Sequence, residues 1–269
     1  MSAASFSPGT FLGSRSRAVG VGDFTVGLWR AALPPECVDA HVHEDAHFIL
    51  ALDGGYHSLA RDPETPSGTG FGPGVLVWNP PGVEHRDSFE RPGGRFLSVS
   101  FMPPPGARRS NPQRLRDGAG EVAARRLVGC VARFASGDEL TLEGLALGLA
   151  ATVLTAAELD EDPAPEWLAR ADEMIRDLSD RPGLEVRALA RALGVHPVSL
   201  ARRYRRHFGR SPAAAIRQAR ADRAAALVLR NGDLADLAAR TGYADQSHLT
   251  REFRALYGLT PASYRALFD

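Results

Sequence analysis

The chain has 269 residues, 44% of them apolar, and its 32 Arg are balanced by 32 Asp and Glu with no Lys present. That length points to about two domains, and no apolar run approaches the roughly 18 residues of a membrane span. The opening MSAASFSPGTFLGSRSR lacks the basic-then-apolar order of a secretion signal. The two cysteines, Cys37 and Cys130, form no motif, which fits a reducing cytoplasm. Both are expected as small buried hydrophobes.

The overall neutrality hides an asymmetry. Residues 1–163 hold 14 Arg against 20 acids, and residues 164–269 hold 18 Arg against 12. Within 181–223 there are 11 Arg and only two acids, Glu185 and Asp222. A neutral chain divided in this way directs its C-terminal part toward a polyanion.

Residues 1–103 are predicted as strands. FTVGLW, HFILAL, GVLVW and RFLSVSF are rich in β-branched and aromatic residues and are separated by Gly and Pro clusters. Several short strands at close spacing predict a barrel or sandwich. In DAHVHEDAHFILALDGG, His41, His43 and His47 fall at i, i+2 and i+6, one face of a strand. Glu44 then faces the other way into solvent, and Asp45 is a further acidic option. GVLVWNPPGVEHRDSF adds Gly74, Pro80, Gly82 and His85. Trp78 and Phe48 are expected to pack rather than bind.

These two stretches resemble the paired motifs of cupins. That pattern is His-x-His, an acid three or four residues on and a Gly six further, then a second strand with Gly, Pro-x-Gly and His. His41, His43, Gly54, Gly74, Pro80, Gly82 and His85 match, while the acid position falls on His47, a departure. The resemblance implies a cupin-like effector-binding barrel over 1–103. Four imidazoles facing one cavity, His41, His43, His47 and His85, suit a divalent metal such as Zn, Ni, Cu or Fe. They equally suit polar wall groups that bond an organic effector.

MPPPGARRSNPQ interrupts the strands. From about 114 to 158 the chain turns Ala- and Leu-rich, with Leu142, Leu145, Leu149, Val153 and Leu154 at helical spacing. Two helices joined near ASGDE are predicted, making 104–158 a helical connector that mediates dimerisation or simply packs on the barrel. LDEDPAPE, 159–166, reads as a linker. The remainder, 167–269, is predicted all-helical.

In that last part the chain repeats itself. LARRYRRHFGRSP (200–212) is answered by LTREFRALYGLTP (249–261) at an offset of 49, and LARALGV (189–195) by LAARTGY (237–243) at 48. Each copy is an amphipathic helix, a Gly-containing turn and a second amphipathic helix, the second copy with one extra turn residue. Gly194 and Gly242 stand where the first helix stops, in the left-handed position that Gly fills without steric cost. Leu200 and Tyr204, and Leu249 and Phe253, are expected inside, with arginines opposite. Ser211-Pro212 and Thr260-Pro261 each pair a cap with Pro at the first helical position. A long helix over roughly 213–230 would join the copies and pack through Ile216, Leu227 and Leu229.

The stretch from LARALGV to TPASYR closely resembles the C-terminal DNA-binding domain of AraC-type transcriptional regulators, over about 100 residues. The resemblance implies a fold of the α+β class: an N-terminal cupin-like sensor, a helical connector and an all-α domain with two helix-turn-helix units, each placing its second helix in the major groove. By position, Val198, Ala201 and Arg202 in unit one and Gln246, Ser247 and Arg251 in unit two would read bases. Arg203, Arg205, Arg206 and Arg254 would hold phosphates. The implied function is a cytoplasmic, sequence-specific regulator that binds double-stranded DNA, takes a small-molecule or metal effector, acts as a homodimer and admits RNA polymerase as a partner. The alternative is a metal-dependent cupin enzyme of dioxygenase or isomerase type with an appended helical domain.

Overall fold

A computed structural model describes residues 4–58, 70–104, 112–154, 165–181, 184–230 and 233–268. The N-terminal strands are β1 (Ala4–Phe6), β2 (Gly13–Val21), β3 (Phe24–Ala31), β4 (His41–His43), β5 (Ala46–Ala51), β6 (Tyr56–Ser58), β7 (Gly70–Phe71), β8 (Leu76–Asn79), β9 (Asp87–Phe89), β10 (Arg95–Phe101) and β11 (Gln113–Leu115). They form a six-stranded sheet in the order β11-β8-β5-β10-β3-β2, a three-stranded sheet β7-β6-β9 and a parallel pair β1-β4. The edge strand β11 lies in the stretch expected as helical connector. It pairs antiparallel with β8, Leu115 opposite Leu76, so the sheet reaches beyond residue 103.

Both faces of the large sheet's central strands β8, β5 and β10 are buried, which explains why they read as continuous apolar runs. Along β5, Phe48 and Leu50 face one way and Ile49 and Ala51 the other, as period-2 alternation requires. The Ile49 side closes with Trp29, Tyr56, Val77, Phe89 and Phe96 against the smaller sheet. The Phe48 side, with Leu28, Trp78 and Val99, is covered by helices. Phe48 and Trp78 are thus packing residues, as expected.

The covering helices are α1 (Gly118–Arg133) and α2 (Glu139–Leu154). Asp117 caps α1 by accepting from the Gly120 amide at 2.7 Å. The proposed linker 159–166 lies largely outside the described residues, and Glu166 already begins α3 (Glu166–Leu178). There follow α4 (Val186–Ala192), α5 (Pro197–Phe208), α6 (Pro212–Val228), α7 (Leu234–Arg240), α8 (Gln246–Tyr257) and α9 (Pro261–Arg265). No helix among the described residues is long and apolar enough to cross a membrane. Cys37 is exposed and Cys130 half-buried, contrary to the expectation of two buried thiols; Cys37 sits in a short turn (Pro35–Cys37) that contributes no buried residue.

The helical domain closes two different cores. Leu168, Ile175, Leu189, Leu200, Tyr204, Phe208 and Ile216 form one cluster of their own, from α3 to α6. Leu237, Leu249, Phe253, Tyr257 and Tyr264 instead continue without a break into α1, α2 and the sheet. The junction depends on close approach: a Cβ at Gly129 of α1 would lie 2.2 Å from the Tyr257 carbonyl oxygen of α8. A buried ion pair crosses the same junction. Arg125 of α1 donates through Nε and Nη2 to Asp222 of α6 at 2.7 and 2.6 Å, and through Nη2 to the Gly74 carbonyl at 2.8 Å. The Tyr257 hydroxyl adds a bond to Asp222 at 2.8 Å. Burial pulls the Arg125 guanidinium down, but Asp222 outweighs it, so the pKa stands above the usual arginine value.

Candidate nucleic-acid interface and histidine cavity

Unit one is α4 and α5, unit two α7 and α8. Residues 193–196 separate the first pair and residues 241–245 the second, which is the extra turn residue read from the shifted repeat. Gly194 and Gly242 have φ of 66° and 78°, the left-handed region expected there. The second helix of each unit begins on a side-chain cap: His196 Nδ1 accepts from the Val198 amide at 3.3 Å, and Asp245 from the His248 amide at 2.7 Å. Ser211 and Thr260 cap α6 and α9 in the same way, each at 3.2 Å.

These caps and the buried stripe set which side chains face out. Leu200, Tyr204 and Phe208 are buried on α5, and Leu249, Phe253 and Tyr257 on α8. Val198, Arg202, Arg203, Arg205 and Arg206 are exposed, with Ala201 half-buried beside them. On α8, Gln246, Ser247, Arg251 and Arg254 are exposed. None of these six arginines reaches a carboxylate of the described residues, whereas Arg210, Arg217 and Arg223, outside the two helices, are all paired. Val198 is 67% exposed, a large apolar group in water with no partner in the fold. The burial pattern brings the base-reading candidates onto the outer faces of two similarly built helices.

The four histidines meet in one place, by a route the sequence did not show. They do not share one strand: β4 ends at His43, the chain bends at Glu44 and Asp45, and His47 lies on β5. The His43 and His47 rings nevertheless stand 4.4 Å apart, and His41 and His85 4.8 Å. The second contact follows from the backbone, because His41 and His85 exchange both N–H···O bonds at 2.9 Å. All four are buried, while Glu44 is exposed as expected. Asp45 is buried and accepts from the Gly9 amide at 2.8 Å. Phe11 packs on His43 and His47 with ring centroids 5.1 and 5.2 Å away.

The ring nitrogens are not equivalent. His41 Nδ1 and His85 Nδ1 each donate to a backbone carbonyl at 2.9 Å, Asp39 and Val83 respectively. That fixes Nε2 as the lone-pair nitrogen on both. His85 Nε2, His43 Nδ1 and His47 Nδ1 are buried without a hydrogen-bond partner. His47 Nε2 differs. Asn79 Nδ2 sits 3.0 Å from His47 Nε2 and 3.0 Å from Asp87 Oδ2. A carboxylate only accepts, so the Asn79 amide nitrogen donates to both, His47 Nε2 accepts, and the His47 proton is on Nδ1. Burial, with the neighbouring imidazoles, drives the His43 pKa down to about 3 and His47 well below the usual value. Burial also lowers His41. His41, His43 and His47 are therefore neutral near pH 7.

The donor set fits a divalent cation. His41, His43 and His85 each place a ligand atom within 4.8 Å of the others. Two of the three have the outer nitrogen held by a carbonyl, as ligating histidines do. The cavity they line is about 50 Å³, room for an ion and a water or two and far below the 300–1,000 Å³ or so of an organic ligand pocket. Asn79 and Asp87, which orient His47, escaped the sequence reading. Asn79 stands immediately before Pro80, but the cupin-like pattern assigns that position no role.

Residues 189–267 match the family model described as a helix-turn-helix domain. Among solved structures, the chain is similar to the C-terminal domain of AraT, a response regulator from Geobacillus stearothermophilus, at 26% identity over 39% of this chain and 88% of that one, with a TM-score of 0.37. It is also similar to an AraC-type transcriptional regulator from Chromobacterium violaceum, at 21% identity over 38% and 92%, TM-score 0.36. ToxT from Vibrio cholerae aligns over 91% of this chain and 99% of its own, at 10% identity and a TM-score of 0.38. No curated protein matches the sequence. With two capped units in tandem and the family match falling on them, residues 189–267 are a helix-turn-helix domain, carried behind a sheet-rich N-terminal half.

Proposed function

We propose that the protein is a sequence-specific transcription regulator whose N-terminal domain senses a divalent metal ion. The observation that carries the DNA-binding half is the row of unpaired, exposed arginines on α5 and α8, beside Val198, Ala201, Gln246 and Ser247. Arg202 and Arg251 read guanine edges, Gln246 pairs with adenine, and Val198 and Ala201 contact a thymine methyl. Arg203, Arg205, Arg206 and Arg254 hold phosphates and set register.

The sensing half rests on the small histidine cavity. His41, His43 and His85 would hold the ion, with His47 oriented by Asn79 beside them. A bound ion would supply a cross-link between β4 and the segment before β9. The protein's own part is to keep His41, His43 and His47 neutral, hold the His41 and His85 rings through their Nδ1 bonds and exclude water behind Phe11. A homodimer through α2 completes the reading: Leu140 and Leu147 are 82% and 53% exposed on its outer face, where Gly144 and Gly148 meet nothing within 4 Å.

Two measurements test this. A binding site selected from random DNA should give a discrete footprint in excess competitor. Arg202→Ala and Arg251→Ala should each relax preference at one base, by about 1–3 kcal/mol. An unchanged preferred site with Arg251→Ala refutes the placement of the second reading helix. Metal analysis of the purified full chain should find about one ion, lost in His85→Ala. Oxygen consumption by the iron-loaded protein would favour the cupin-enzyme alternative.

A further inference from the structure

Unit two is joined to the sheet by a continuous core, whereas α3 and α6, which close unit one's core, face the sheet edge across a cleft of about 980 Å³. No residue lining this cleft lines the histidine cavity. Arg114 on β11 and Arg116 just after it form the sensor-side wall, and Arg176 on α3 stands opposite. All three close on one buried carboxylate. Asp172 Oδ2 lies 3.8 Å from Arg114 Nη2, 3.6 Å from Arg116 Nη1 and 3.5 Å from Arg176 Nη2.

Proximity here does not mean bonding. Asp172 Oδ2 accepts no hydrogen bond, while Oδ1 takes the Tyr204 hydroxyl at 2.8 Å. Arg114 Nε is buried without an acceptor, and so is Arg210 Nε on the same cleft. Buried N–H groups are almost always satisfied, and the cleft lining holds seven Arg against five acids (Glu121, Asp172, Glu173, Asp177 and Asp222), so two positive charges are in excess. The missing element is an acceptor with negative charge. Planar guanidinium forks match carboxylate and phosphate oxygens through paired bonds, and the volume is that of a ligand pocket.

We propose that this cleft binds a small organic dianion, a phosphate monoester or a dicarboxylate, through Arg114, Arg116 and Arg176. The ligand bridges the sensor edge strand to α3 and so holds unit one against the sensor. The site uses neither the histidines nor the DNA-facing arginines.

Calorimetric titration of the full chain without DNA, using inorganic phosphate and succinate at chloride-matched ionic strength, tests it independently of the regulator reading. Saturable binding of about one equivalent is expected, and the tighter probe names the ligand class. Arg114→Gln with Arg116→Gln should weaken binding about tenfold or more, as loss of charge-assisted bonds does. Asp172→Asn keeps an acceptor for Tyr204 and removes the competing charge, so it should bind several-fold tighter; it decides the matter if the double variant fails to fold. Arg202→Gln with Arg206→Gln should leave binding unchanged. No saturable binding of either probe, no tightening in Asp172→Asn, or a loss confined to the Arg202/Arg206 variant would overturn the assignment.

Discussion

Unit one closes a core of its own between α3 and α6, while unit two has none apart from the sensor: Leu249, Phe253 and Tyr257 belong to the cluster that includes α1 and the sheet. Helices α5 and α8 differ in the same sense. Residues 197–208 carry four Arg and no acid, with Val198 and Ala201 at the proposed base-reading positions; residues 246–257 carry two Arg, one Glu and a more polar proposed reading set. On the proposed reading, unit one is a separately packed, strongly cationic grip and unit two a discriminating head packed against the N-terminal domain. Two copies of one motif can thus divide the work, because the packing on the back of each helix is free to differ while the front stays the same.

The comparison can be broken most sharply at the Arg125–Asp222 pair. Asp222→Ala strands a fully buried guanidinium, and removing one partner of such a pair destabilises by about 3–5 kcal/mol. Urea unfolding should show the loss, with unit two exchanging amide protons together with the sensor and unit one retaining its protection. A smaller wedge is Gly129→Ala, whose methyl meets the Tyr257 carbonyl. Overpacking of this kind costs about 1–3 kcal/mol. Hydrogen exchange should quicken in α8 and stay unchanged in α5; equal quickening in both would show that the units are not separately held.

Acidification probes the histidine cluster of the N-terminal domain. The folded protein keeps His43 neutral down to about pH 3, whereas the unfolded chain protonates it near 6.5. The unfolded state therefore binds more protons between those values, and stability falls as pH drops through that window, by about 1.4 kcal/mol per unit for His43 alone. His41 and His47 act in the same direction. Thermal unfolding of metal-free protein from pH 7 to 5.5 should show the sensor weakening first. The smallest effect belongs to the grip. Arg206→Ala should weaken all DNA about equally and reduce the salt slope by about 1; a change in base preference instead would make Arg206 a reader.

Much of the helical domain was legible because its signals are local. Glycine at a helix stop, Ser-Pro and Thr-Pro at helix starts and an apolar stripe at i, i+4 each act within a few residues. The repeat then tested every assignment twice. The histidine set was legible from spacing, but its geometry was not: the bend at Glu44 and Asp45 and the His41–His85 backbone bridge are long-range facts. The junction had one sequence trace, Asp222, one of only two acids in a basic stretch. Its partner Arg125, on the far side of the linker, carried no mark.

The amino-acid order thus determined the two helix-turn-helix units, the outward arginines and the apolar strands, since these depend on contacts between near neighbours. Only the tertiary structure decided that one unit shares the N-terminal domain's core, that Arg125 finds Asp222 and that Arg114, Arg116 and Arg176 surround one aspartate. Such pairings join residues as much as 97 positions apart, and no local preference encodes which distant surface a helix will bury.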